Sequence, residues 1–226
     1  MKSLAVFVAG TALALSANAA FVSFSFGTPT LGLQTTEINQ TGVLGLFNTA
    51  LGTLTGVALT VSGAERTTLT LTNNAATSTT ARGTSTVDLF FSSSLGALNG
   101  LLAAANPLIS LSATTGFVNL AAGATQAFGP LTASQTNGVN VSTIFGNLSQ
   151  AGGGNFNVSC ASFAGLSVAG GGGNVGAAQA TQAGCGAAVV YTFTPTVTRV
   201  PEPGSLALMG LALAGLGLMR RKADKA

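Results

Sequence analysis

The chain has 226 residues and a formal net charge of +3, with eight Lys and Arg, five Asp and Glu, two cysteines and neither histidine nor tryptophan. Serine or cysteine catalysis through histidine is therefore excluded, and so few carboxylates leave no clustered oxygen ligands of the kind calcium requires. The pI near 9.3 comes from Lys2 and the last residues, because residues 20–199 balance Glu37, Glu65 and Asp88 against Arg66, Arg82 and Arg199; lacking a basic stripe, the chain is expected to have no nucleic-acid partner.

In chain order, Met1-Lys2 is a minimal positive start, residues 4–15 are apolar, and Ala17-Asn18-Ala19 is an A-x-A site. These predict a secretory signal peptide over residues 1–19, cut between Ala19 and Ala20. Residues 20–199 then form the exported body, long enough for one domain with a core. Short alternating runs bounded by Gly, Asn and Ser predict strands there. Phe21-Val22-Ser23-Phe24-Ser25-Phe26 alternates in part. Val57, Leu59 and Val61 share one face, and the alternation resumes in Thr68-Leu69-Thr70-Leu71-Thr72. With a turn placed at residues 62–66, these two runs predict a hairpin. Residues 73–85 read as a mobile loop or a polar strand. Val87, Leu89 and Phe91 face inward and Asp88 outward. Residues 98–105 read as a short helix or a long connection, the latter preferred. Further strands are expected at 108–111, 117–120, 127–131, 139–145, 156–168 and 187–194. About eight to ten short strands suit an all-β fold, a two-sheet antiparallel β-sandwich.

Cys160 and Cys185 read as one disulfide in an exported chain, worth about 3 kcal/mol in the loop-entropy account. The glycine clusters at 152–154 and 170–173 precede neither a lysine nor a helix, so they read as hairpin connections rather than phosphate cradles. The second lies between the cysteines, which predicts a disulfide pinning the arms of a hairpin. A glycosidase holds two carboxyl groups about 5–10 Å apart. Glu37, Glu65 and Asp88 come from separate segments, with Glu65 beside Arg66 in the expected solvated turn. Residues 20–199 also lack lysine, which excludes a Ser–Lys pair. No catalytic residue, metal site or cofactor is assigned, and the chain is not expected to be an enzyme. The phenylalanines read as core, and Tyr191 alone offers little of an aromatic sugar platform.

At the C-terminus stand Pro201-Glu202-Pro203, an uncharged stretch over 204–219, and Arg220-Arg221-Lys222. As a helix the uncharged stretch rises about 24 Å, short of the roughly 20 residues that span a bilayer comfortably. Snorkelling of the basic residues closes that gap and holds the C-terminus on the cytoplasmic side. A single transmembrane sorting helix is thus expected within residues 200–226. This order of motif, apolar span and basic end resembles the PEP-CTERM sorting signal of Gram-negative bacteria. The resemblance implies recognition by an exosortase, which removes the tail and passes the body onward.

The body carries a second resemblance. Phe47 and the run Leu51-Gly52-Thr53-Leu54-Thr55-Gly56-Val57-Ala58-Leu59-Thr60-Val61-Ser62-Gly63 are similar to the opening of the choice-of-anchor E domain. So are Phe128-Gly129-Pro130-Leu131-Thr132, and Gly170-Gly171-Gly172-Gly173-Asn174-Val175 with residues 187–194. The resemblance implies a bacterial surface domain and supplies no catalytic residues; the cysteine pair is not part of its pattern. Together these features predict an exported protein, anchored in the inner membrane as a precursor and then placed at the cell surface or in the extracellular matrix. Its expected role is structural or adhesive, with exopolysaccharide or other matrix proteins as partners. A polysaccharide-binding module using Asn, Gln and Thr on one sheet face is the first alternative, and a polysaccharide-processing enzyme the second.

Overall fold

A computed structural model describes residues 19–27, 32–196 and 210–213. Its elements are β1 (Ala20–Phe26), β2 (Gln34–Thr35), β3 (Asn39–Asn48), β4 (Gly52–Asn73), β5 (Thr79–Ser93), α1 (Gly96–Ala105), β6 (Ile109–Thr114), β7 (Val118–Leu120), β8 (Thr125–Val139), β9 (Ser149–Gln150), β10 (Gly154–Gly170) and β11 (Val175–Pro195). Short 3-10 turns occupy Thr49–Leu51, Ser142–Leu148 and Gly171–Gly173. Sheet A has the order β1-β11-β4-β8, with β2 also on β11; sheet B has the order β6-β5-β10-β3-β9, with β7 also on β5. The ladders are antiparallel except the two-residue β3–β9 pairing, which is parallel. The all-β, two-sheet expectation holds.

The predicted hairpin over residues 57–72 is instead part of one strand. Nothing in residues 62–66 demands a turn: Gly63 is not among the positive-φ glycines, and alternation continues inward through Val61, Gly63, Glu65, Thr67, Leu69 and Leu71. Gly63 leaves room for its opposite neighbours, since a Cβ there would collide with Leu89 and press on Ile109. Residues 79–85 prove to be strand, with Ala81, Gly83 and Ser85 inward. Residues 96–105 are a helix rather than a connection, because Leu98 and Leu102, four apart, bury one face completely. The expected strand at 139–145 gives way after Val139 to a 3-10 turn that buries Ile144 and Leu148.

Strand β3 escaped the sequence reading because Gly42 and Gly45 interrupt its apolar pattern. In the fold they make room for aromatic rings: a Cβ on Gly42 would fall within the Phe26 ring, and one on Gly45 would strike Phe24. Strand β1 thereby seals the side of the sandwich. Tyr191, fully buried, stands at this seam. Its hydroxyl donates to the Gly45 carbonyl at 2.9 Å, and Phe24 and Phe47 pack on its ring.

The larger core cluster joins Leu59, Val61, Val189 and Tyr191 of sheet A to Leu44, Phe47, Leu89 and Phe91 of sheet B, with Leu98 and Leu102 closing that end. Each such side chain contributes about 1.5–3 kcal/mol by leaving water. A smaller cluster of Leu71, Ala81 and Leu120 holds the other end. There, buried Asn73 ties the connections together: its amide donates to the carbonyls of Thr77, Leu120 and Ala121, and its oxygen accepts from the Ala75 N–H.

The domain's ends emerge side by side. Ala20 is paired with Phe193, and Pro195, the last residue of β11, with Gly52. Residues 196–226 form a separate unit in which Gly210–Leu213 is one exposed helical turn. Among the described residues no helix is long and apolar enough to cross a membrane; the expected spanning segment, 204–219, lies mostly outside them.

Candidate binding faces, the interior carboxyl and the sorting tail

Strands that send alternate side chains to opposite faces give this domain an interior and two outer faces. The interior holds one unexpected group. Glu65, on the inward side of β4, is 1% exposed, and neither carboxylate oxygen has a hydrogen-bond partner. The expected solvated turn at Glu65 is therefore corrected: the strand continues, and parity carries the side chain inside. Burial raises its pKa from 4.5 to about 7. In register with it and with its neighbours on β11 lie Ala183, Thr181 and Gln179. Thr67 and Thr181 share a hydrogen bond of 2.7 Å, whereas Ser85 Oγ and Gln179 Oε1 are buried without partners. This polar band separates the two core clusters along β4, β5 and β11.

Cys160 and Cys185 form the expected disulfide, with Cα atoms 6.5 Å apart. Its setting differs from the prediction. Cys160 lies on β10 of sheet B and Cys185 on β11 of sheet A, so the bond crosses the core between sheets. Residues 171–174 carry the chain from one sheet to the other and are not a hairpin tip. The tight Gly152–Gly154 segment, all at positive φ, likewise leads from β9 into β10.

On the outer face of sheet A, one row crosses four strands: Thr35 opposes Gln182, which opposes Arg66, which opposes Thr132. Beside it the β4–β8 register slips between Thr67 and Leu69, and the additional β8 residues, Gly129 and Pro130, form a bulge. Gly129 is required there, since it sits at φ +134° and a Cβ would come within 2.8 Å of the Thr67 carbonyl. Thr35, Arg66, Thr68, Pro130, Ala180 and Gln182 line an open groove of about 450 Å³. Arg66 forms no hydrogen bond or ion pair among the described residues.

The outer face of sheet B is different. Phe163 is 59% exposed and Phe90 39%, with Asp88 directly opposite Phe163 across the β5–β10 ladder. Phe117 is also exposed and lies under the Arg82 guanidinium, 4.9 Å from ring centre to carbon. Reading the phenylalanines as core thus fails at Phe21, Phe90, Phe117 and Phe163. A signal was present: Phe90 and Phe91 are consecutive on a strand, so they must face opposite ways.

The three acidic side chains of the body are not brought together. Glu65 faces the interior, Asp88 the exterior of sheet B, and Glu37 is exposed between β2 and β3. Among the described residues no group of three or more His, Cys, Asp and Glu side chains is placed to hold a metal ion. Of the expected cleavage residues, Ala19 is exposed and Ala20 begins β1, while Ala17 lies outside the described residues. Pro201, Glu202, Pro203, Arg220, Arg221 and Lys222 also lie outside them.

Residues 199–222 match the PEP-CTERM protein-sorting motif, so the match covers both the Pro-Glu-Pro sequence and the basic end. The motif implies an exported protein that an exosortase processes. No curated protein matches the chain. Among solved structures, the Tobacco streak virus coat protein is similar at 10% identity, covering 85% of this chain and 99% of its own, with a TM-score of 0.18. The T13 particle of IBDV is similar at 9% identity over 87% of this chain and 46% of its own, TM-score 0.18. Infectious bursal disease virus Gt strain gives 11%, 86%, 47% and 0.20. Overlap at such TM-scores carries no conclusion about this chain.

Proposed function

We propose that the chain is a structural or adhesive protein of the cell surface or exopolysaccharide matrix of a Gram-negative bacterium. In this reading a signal peptide over residues 1–19 directs export, and the tail anchors a precursor in the inner membrane until an exosortase removes it. The observation that carries the reading is the sorting motif at 199–222 behind a disulfide-stapled β-sandwich. A body with balanced charges adds support, since little electrostatic repulsion keeps copies or matrix polymers apart. The body's assignment as a choice-of-anchor E type surface domain rests on the residues quoted above.

The role is non-catalytic. The dispersal of Glu37, Glu65 and Asp88 to three environments supports this, because paired-carboxylate chemistry needs two of them together. Intact mass spectrometry of the protein recovered from its native surface or medium tests the sorting. A chain from Ala20 to the Pro201–Pro203 region is expected; a chain running to Ala226 would refute exosortase processing. The role itself is tested by deleting the protein, with loss of matrix cohesion or attachment expected and unchanged matrix mechanics refuting it.

A second reading, a polysaccharide-binding module, is favoured by two surfaces: the hydroxyl- and amide-lined groove on sheet A and the exposed Phe90 and Phe163 beside Asp88 on sheet B. Sugar rings stack on aromatic faces and exchange hydrogen bonds with such side chains.

A further inference from the structure

We propose that the groove on sheet A binds an acidic polysaccharide, seating the carboxylate of a uronic acid unit on Arg66 and neighbouring sugar hydroxyls on Thr35 and Gln182, with Thr132 continuing the row on the next strand beyond the groove. The proposal rests on the polysaccharide-binding reading and deepens it by naming the ligand's chemistry.

The row is a ladder of side chains capable of hydrogen bonding, set by the strand spacing. Four strands at about 4.8 Å place Thr35 and Thr132 about 14 Å apart, with Gln182 and Arg66 between them. Such spacing offers one side chain for each successive sugar ring of an extended glycan lying across the strands. Beside the row, Ala180 opposes Thr68 with a side chain small enough to leave space for a ring, and Pro130 of the β8 bulge lines the same groove.

Charge selects among ligands. Arg66 is the guanidinium in the groove, exposed and without a partner among the described residues. Glu65, its neighbour in sequence, points into the core, and Glu37, just past Thr35, forms no ion pair with it among the described residues. A planar guanidinium matches a carboxylate in two parallel hydrogen bonds. One cation in this row suits one carboxylate among hydroxyls. It does not suit duplex nucleic acid, which presents a charge about every 1.7 Å and is held by several cations.

The test uses the processed, exported protein and three immobilised polymers: polygalacturonate, dextran sulfate and dextran. Wild-type protein should bind polygalacturonate, with affinity falling as salt rises. Arg66→Gln should lose about ten- to a hundred-fold, and Arg66→Lys, which keeps the charge but not the fork, should fall between. Arg66 is exposed, so both variants should keep the wild-type unfolding midpoint. Equal binding of Arg66→Gln and wild type to polygalacturonate would overturn the proposal. Stronger binding to dextran sulfate would overturn the carboxylate assignment. Binding to dextran that ignores Arg66 would overturn the groove's role yet leave the module reading standing; binding to none of the three would remove both and leave the structural role.

Discussion

Stability of this domain should fall as pH rises from about 4.5 to about 7, and Glu65 should be the cause. Below 4.5 the carboxyl is protonated in both folded and unfolded chains and contributes no difference. Between 4.5 and 7 the unfolded chain has released the proton and the folded chain keeps it, so each rise in pH favours unfolding. Above 7 both states are ionised, and the folded state bears a buried carboxylate that no donor contacts. At 1.36 kcal/mol for each pKa unit, the full difference is about 3 kcal/mol, a large share of a domain's net stability. Absence of histidine makes the effect readable, since the usual titration in this window is missing. Urea unfolding of the disulfide-intact protein at pH 5 and pH 8 measures it. Glu65→Gln should flatten the difference and unfold at a higher urea concentration than wild type at pH 8. A wild-type midpoint that is constant over this range, or a Glu65→Gln variant that keeps the slope, would refute the reasoning.

Three further outcomes follow from the packing. Cys160→Ser should lower unfolding free energy by about 3 kcal/mol, since the bridge closes a loop of 25 residues, and reducing agent should then have no further effect. Asn73→Ala should cost about 1–3 kcal/mol by removing the amide's bonds to the Thr77 and Leu120 carbonyls and the acceptor of the Ala75 N–H, the Ala121 carbonyl keeping the Ala124 N–H, with hydrogen exchange accelerating first in the connections around residues 74–78 and 121–124. Tyr191→Phe should cost about 1–3 kcal/mol by stranding the buried Gly45 carbonyl, read as a lower thermal midpoint with an unchanged far-ultraviolet spectrum.

Much of the fold could be read from alternation alone: β1, the second half of β11 and the central run of β10 stand where the pattern places them. Alternation is a local property, and the errors arose where a distant partner decided the outcome. Glycine at 42 and 45 looked like interruption until Phe24 and Phe26 occupied the space above them. The charged pair at 65–66 looked like a turn because burying an unpartnered carboxyl is costly, yet its neighbours on both sides commit the strand to that parity. That mistake also hid the Arg66 row, because a residue assigned to a turn has no cross-strand neighbours to consider. The cysteine pair could be recognised from composition, but whether it joined one hairpin or two sheets depended on where residues 171–174 took the chain. The sorting tail needed no folding argument, as its three parts are adjacent in sequence.

The inter-sheet disulfide sets how this domain responds to a pull. A load applied to the chain beyond Pro195 enters through β11 and would strip that strand from β1 and β4, beginning at its final residue. Peeling can proceed only as far as Cys185, where the covalent bond to Cys160 passes the load to sheet B. The slack released before that stop is about ten residues of chain, some 35 Å when fully extended. The interior containing Glu65, Thr67 and Thr181 lies beyond the stop, and the Arg66 row with it. A tether attached at this end can therefore give way locally while the rest of the sandwich stays closed.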